Sequence, residues 1–202
     1  MKRIAAMLAV FVLVPALAGG AQAESDNLSA KMDYYVSDAF IQSIGEPPQT
    51  GAQATATVGG DHVRIVGTGT FNTAAGTATG GGTFVHTNAS DVLVGFGTWT
   101  ATSLVSFTSY GCGLRGGAPF PANLCGGLAT MKVHTSGTLV NPPRGHVEHD
   151  AILTIECKLG TPPVTAHEGI TLDARPGGPN FDMTNDSEHG ETLFVSRSHS
   201  GG

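Results

Sequence analysis

Three stretches of the chain share one pattern: Gly67-Thr68-Gly69-Thr70-Phe71, Gly80-Gly81-Gly82-Thr83-Phe84 and Gly95-Phe96-Gly97-Thr98-Trp99. Residues two apart in a strand share a face. Each stretch therefore sets two glycines and an aromatic on one side and its threonine on the other. A turn centred on Ala74-Ala75 pairs Gly69 with Gly80 and Gly67 with Gly82. A four-residue turn at Asn88-Ala89-Ser90-Asp91 pairs Phe84 with Gly95, Gly82 with Gly97 and Gly80 with Trp99. Aromatics of one strand then cover glycines of the next, a device that lets a strongly curved sheet close. The same face, if left empty, has room for a ligand. Phe84, Trp99 and Gly97 are the candidate ligand-binding residues on that reading.

The rest of the chain agrees with a sheet. Among its 202 residues are 29 glycines and 23 threonines, and only 13% are charged. Threonine suits a pleated, half-solvated face and glycine suits bends and bulges. No segment after the first two dozen residues keeps a 3.6-residue apolar period. Strands are expected over 34–44, 52–58, 62–71, 77–87, 92–110, 128–139, 147–159, 168–174 and 192–197, with Gly/Pro/Asn/Asp clusters between them. The expected fold is all-β: an antiparallel meander of eight or nine strands closed into a β-barrel, with a sandwich as second choice.

The first residues are of another kind. Lys2 and Arg3 precede an apolar run from Ile4 to Leu17, and small residues follow up to Ala21-Gln22-Ala23. This is the pattern of a secretory signal peptide over 1–23 with cleavage before Glu24. It leaves a single domain over 24–202 and an address that is secreted or periplasmic. No other stretch has the length of a membrane span. The formal net charge is −6, and the expected cleavage removes two basic residues, which argues against a nucleic-acid partner. The tail from Ser198 to Gly202 is expected to be disordered. Asn27, Asn88 and Asn185 each open an N-x-S triplet, which matters only in a glycosylating host.

An exported chain meets oxidising conditions, and this one carries three cysteines. Cys112 and Cys125 bracket a Gly/Pro-rich loop and are the expected disulfide, worth about 3 kcal/mol in the loop-entropy account. Pairing of Cys157 with either remains the alternative. Within Ile152-Leu153-Thr154-Ile155-Glu156-Cys157 it shares a face with Leu153 and Ile155, so it reads as buried and inert.

Catalytic signatures are absent. No Gly-rich run ends in Gly-Lys-Ser/Thr, and Gly111-Cys112-Gly113-Leu114-Arg115-Gly116 runs into Gly117-Ala118-Pro119 instead of a helix. No Gly-x-Ser-x-Gly occurs. Eight histidines are present, densest at His146-Val147-Glu148-His149-Asp150. On a strand His146 and His149 point to opposite faces, so no closed metal site is expected there. No cofactor or catalytic residue is assigned, and oligomeric state is left open. Three functions are compatible with this: a binding module for a small apolar ligand, an extracellular structural or adhesive protein with a filled barrel, and a barrel-type isomerase or cyclase.

Overall fold

The computed structural model describes residues 31–46, 50–184 and 191–197. The signal peptide, the triplets at Asn27 and Asn185 and the tail from Ser198 lie outside them. The described chain forms thirteen strands and one short helix: β1 (Lys31–Val36), α1 (Ala39–Ser43), β2 (Ala52–Thr55), β3 (His62–Asn72), β4 (Thr77–Thr87), β5 (Leu93–Cys112), β6 (Leu114–Arg115), β7 (Ala118–Pro119), β8 (Leu124–Val140), β9 (Pro143–Cys157), β10 (Gly169–Asp173), β11 (Asn180–Phe181), β12 (Met183–Thr184) and β13 (Thr192–Ser196). The strand expected over 34–44 ends early. Ser37 takes a positive φ of 46°, and the Asp38 side chain accepts from the Phe40 N–H at 2.9 Å. That N-cap starts α1 where the apolar pattern alone suggested more strand.

Every pairing is antiparallel, and β6 with β7 forms a separate small hairpin. β3 pairs along its whole length with β4, β4 with β5, and β5 with β8. The other edge of β3 forks: residues 67–72 pair with β1 and residues 62–65 with β2. The far edge of β8 forks too, giving 124–125 to β13 and 127–140 to β9. Because β13 also pairs with β1, one circuit of ladders returns to its start through six strands. A second circuit runs through β9 and β10, then crosses the short segment 180–184, whose β11 pairs with β10 and whose β12 pairs with β2. Thr57 clips this segment in place, donating from its N–H and its hydroxyl to Asp182 Oδ1 at 2.8 and 2.6 Å.

The β3–β4 register is the expected one, with Gly69 opposite Gly80 and Gly67 opposite Gly82. The β4–β5 register differs. Phe84 faces Gly97 and Gly82 faces Trp99, two residues on from the expected partners of Phe84 (Gly95) and Gly82 (Gly97). The turn is longer than its sequence suggested: the Asn88 N–H donates to the Val92 carbonyl, Asp91 has φ 58°, and a bulge drops Val94 from the ladder. A shift of two keeps every side chain on its face, so aromatics still lie over glycines.

The first circuit is packed solid with aromatic rings. Tyr34 stacks on Phe71 and Trp99 with centroids 6.4 and 6.2 Å apart, and Phe107 meets Phe71 and Phe194 at 4.9 and 5.3 Å. Trp99 is 2% exposed and its indole N–H donates to the Val66 carbonyl at 3.2 Å. A Cβ on Gly67 would stand 2.5 Å from the Trp99 ring, and one on Gly69 would stand 2.5 Å from the Tyr34 hydroxyl. The volume those glycines release is already occupied.

Candidate functional site

The second circuit encloses what the first does not. β9, β10, segment 180–184 and β2 replace the two short strands β13 and β1, lengthening the wall around the same four central strands. A cavity of about 310 Å³ lies there, lined chiefly by apolar groups that include Phe84, Phe96, Leu172 and Phe181. Of the three residues expected at a ligand, Phe84 is in this lining. Trp99 belongs to the filled aromatic cluster. Gly97 sits where β5 and β8 come closest: its Cβ would lie 2.2 Å from the Ser136 carbonyl oxygen, so it shapes the wall and not the cavity. Gly137 takes the role foreseen for Gly97, since its Cβ would press on the Phe84 ring at 2.8 Å.

Two imidazoles join the apolar lining. His86 lies on the face of Phe84, two residues along β4, with its side chain 13% exposed. Its Nε2 stands 2.8 Å from Asp61 Oδ2, and its ring meets Phe181 edge-on at 5.2 Å. His149 points inward from β9, while its neighbours His146, Glu148 and Asp150 point out. The nearby Thr135 hydroxyl is committed to the His149 carbonyl at 3.0 Å. His86 could have been found by counting two on from Phe84. His149 was legible only as the odd member of its acidic cluster, and Asp61 only once the turn beside it had folded.

A second hollow of about 220 Å³ lies beside α1, among Ile41, Phe120, Leu159 and Leu193, with the Arg115–Glu46 ion pair in its lining. A buried polar element in it is Glu168, where β13 and β9 part from the edge of β8. Ladder partners run out at that fork, and a buried N–H must find another acceptor. Glu168 supplies it, accepting from the N–H groups of Lys158 at 2.7 Å and Thr192 at 3.0 Å. Its role is to join strands. Desolvation outweighs these bonds and raises the Glu168 carboxyl to about 7.

Cys157 lines the same hollow, and Cys112 and Cys125 form the expected disulfide across the ends of β5 and β8. Cys157 is a buried free thiol whose pKa burial pushes well up, which leaves it un-ionised and unreactive. Alkylation of the native protein should therefore leave Cys157 untouched until denaturant is added. Rapid labelling of native Cys157 would contradict its burial.

On the outer face of β8 and β9, His134 meets Asp150 at 3.0 Å and His146 meets Glu148 at 3.2 Å, all well exposed. Among the described residues no three His, Cys, Asp or Glu side chains are grouped to hold a metal ion. No helix among them is long and apolar enough to cross a membrane. In comparisons with known proteins, no family model, curated protein or solved structure matched the chain.

Proposed function

We propose that the protein is a secreted or periplasmic antiparallel β-barrel, exported on residues 1–23, that binds a small, largely apolar ligand in the cavity beside Phe84. The two circuits of ladders support the barrel reading. At one end six strands surround a solid core, and at the other eight staves, counting 180–184 as one, surround an open space. A barrel of eight strands is about the size at which the interior either packs solid or holds one small ligand. The disulfide suits an oxidising compartment. The observation that carries the function is the apolar lining itself, a few hundred cubic ångströms in size and interrupted by only a few polar groups, as in ligand pockets generally. The second reading, an isomerase or cyclase, draws on the His86–Asp61 pair. The filled structural barrel fits only the end that holds Trp99.

Naphthalene is a suitable probe because it is apolar, rigid and smaller than the cavity. Calorimetric titration should show saturable binding of one molecule. Val147→Phe places a ring in the cavity from β9 and should weaken binding at least about tenfold with little change in melting temperature. Absence of saturable binding to the unmodified protein would overturn the proposal.

A further inference from the structure

We infer that the cavity selects an apolar ring system bearing one hydroxyl group, a phenol-type ligand, and that His86 is the residue that reads the hydroxyl. This rests on the ligand-binding reading above and names the class of ligand. Asp61 is an acceptor when ionised, so the hydrogen on His86 lies on Nε2, the nitrogen 2.8 Å from the carboxylate. That bond fixes the ring's orientation and tautomer and leaves Nδ1 without a hydrogen-bond partner among the described residues. That nitrogen is not sealed from solvent, since the buried side-chain atoms left without a partner among those residues are Ser37 Oγ and Glu191 Oε2, so a ligand hydroxyl would take the place of water there and a ligand without one would strand it. In the neutral ring Nδ1 is an acceptor, and in the imidazolium it is a donor. A hydroxyl serves either state, as donor to the first and acceptor from the second. A bare hydrocarbon serves neither, and an ether oxygen serves only the imidazolium.

The surroundings set the rest of the ligand. The ring of Phe181 stands edge-on to His86, and Phe84 lies on the same face of β4. Flat aromatic walls around a fixed acceptor favour a planar body, through stacked and edge-to-face contacts. Thr135 offers no competing hydrogen, because its hydroxyl is already given to the His149 carbonyl. His149 is the other imidazole in the lining, and its ring packs against Gly177, whose Cβ would stand 2.6 Å from Nδ1. Among the described residues no carboxylate is paired with its ring to fix the tautomer, so it is the control for the assignment.

The test compares 2-naphthol with 2-methoxynaphthalene, which keeps the ring and loses the hydroxyl hydrogen, by calorimetric titration at a pH where imidazole is neutral. The expected result is a preference for 2-naphthol of about tenfold, the size of one buried hydrogen bond. His86→Phe should erase the preference while leaving 2-methoxynaphthalene bound, and His149→Phe should leave it intact. Asp61→Asn, at a partly exposed position, should narrow it, and it serves as the decisive variant if His86→Phe fails to fold. Equal affinity of the two compounds for the unmodified protein overturns this inference and leaves the apolar-ligand reading standing. Loss of the preference in His149→Phe but not in His86→Phe overturns the assignment to His86. If neither compound binds, the ligand-binding reading itself falls.

Discussion

Replacing Trp99 with alanine is expected to cost about 3–5 kcal/mol of unfolding free energy, toward the upper end of that range for a buried ring. The size follows from what surrounds it. Trp99 lies against Gly67 and faces Gly82 across the ladder, neither of which has a side chain to fill the space it leaves, and Tyr34, stacked on it, is held by its own hydrogen bond to the Thr79 carbonyl. The backbone cannot settle inward either: a Cβ on Gly82 would lie 1.9 Å from the Val66 carbonyl oxygen, which means β3 and β4 are already in contact. The Val66 carbonyl also loses the indole N–H it accepts. Urea unfolding followed by far-ultraviolet circular dichroism measures the effect, since Trp99 is the sole tryptophan and its fluorescence disappears with it. Trp99→Phe keeps a ring over the glycines and should cost markedly less. A loss below about 2 kcal/mol in Trp99→Ala would show that the aromatic cover over the glycines is not what fills this end.

The second large effect is a stability that falls as pH rises from about 5 to about 8. Glu168 keeps its proton up to about 7 in the folded chain, against 4.5 as its ordinary value. Between those values the unfolded chain releases a proton that the native chain retains. The contribution is therefore whole below the ordinary value and is lost as pH climbs through the raised one. It amounts to about 3 kcal/mol for this buried group. The geometry agrees with a neutral carboxyl. The Thr192 hydroxyl lies 2.6 Å from the Glu156 carbonyl and 2.7 Å from Glu168 Oε1, and its single hydrogen serves both acceptors only if Glu168 brings another.

Glu191 stands in a like position at the opposite fork, where β1 and β2 part. Burial and the Glu168 charge raise it to about 7, against the Gln53 N–H that lowers it, so it adds to the fall in the same direction. The Lys158 charge is the last and smallest influence holding Glu168 down, and Asp173, drawn down to about 2 by Arg175, is exposed and acts only in more acid solution. Melting temperatures recorded from pH 5 to pH 8 should decline, and Glu168→Gln should make the slope clearly shallower, leaving the share due to Glu191. A profile that rises over that interval, or an unchanged slope in Glu168→Gln, contradicts this account.

Much of this fold was legible before any coordinates. The period-two pattern of Gly67–Gly69–Phe71 and its two repeats marked three adjacent strands and their inward faces, because that pattern depends only on strand geometry. Cys112 and Cys125 could be paired from the short loop between them. The β4–β5 partners could not be read to the residue, since one bulge at Val94 and one extra turn residue depend on local backbone choices that Asn88 and Asp91 leave open. Phe84 reached the cavity because it lies on the inward face at the end where the wall is long. Trp99 lies on the same kind of face but at the end where the wall is short, and strand pattern carries no information about which end is which. That depends on the forks, and each fork brings together residues far apart in sequence, such as Thr192 with Glu168 and Glu191 with Gln53.

Only β3, β4, β5 and β8 belong to both circuits, and the consequence is a division between what keeps the molecule folded and what can be altered. The rings of Tyr34, Phe71, Trp99, Phe107 and Phe194 pack on one another at one end of a core that runs on into Ile170, Leu172 and Phe181. Leu172, Ala174 and Phe181, by contrast, touch the open end and none of those rings takes part in its lining. Substitutions there can reshape the chamber, exchange its polar contacts or close it altogether, with the keystone left in place. On the ligand-binding proposal, a library restricted to the lining residues Leu172, Ala174 and Phe181, with Ile170 kept, should change ligand preference while the ring stack at the other end keeps its own contacts.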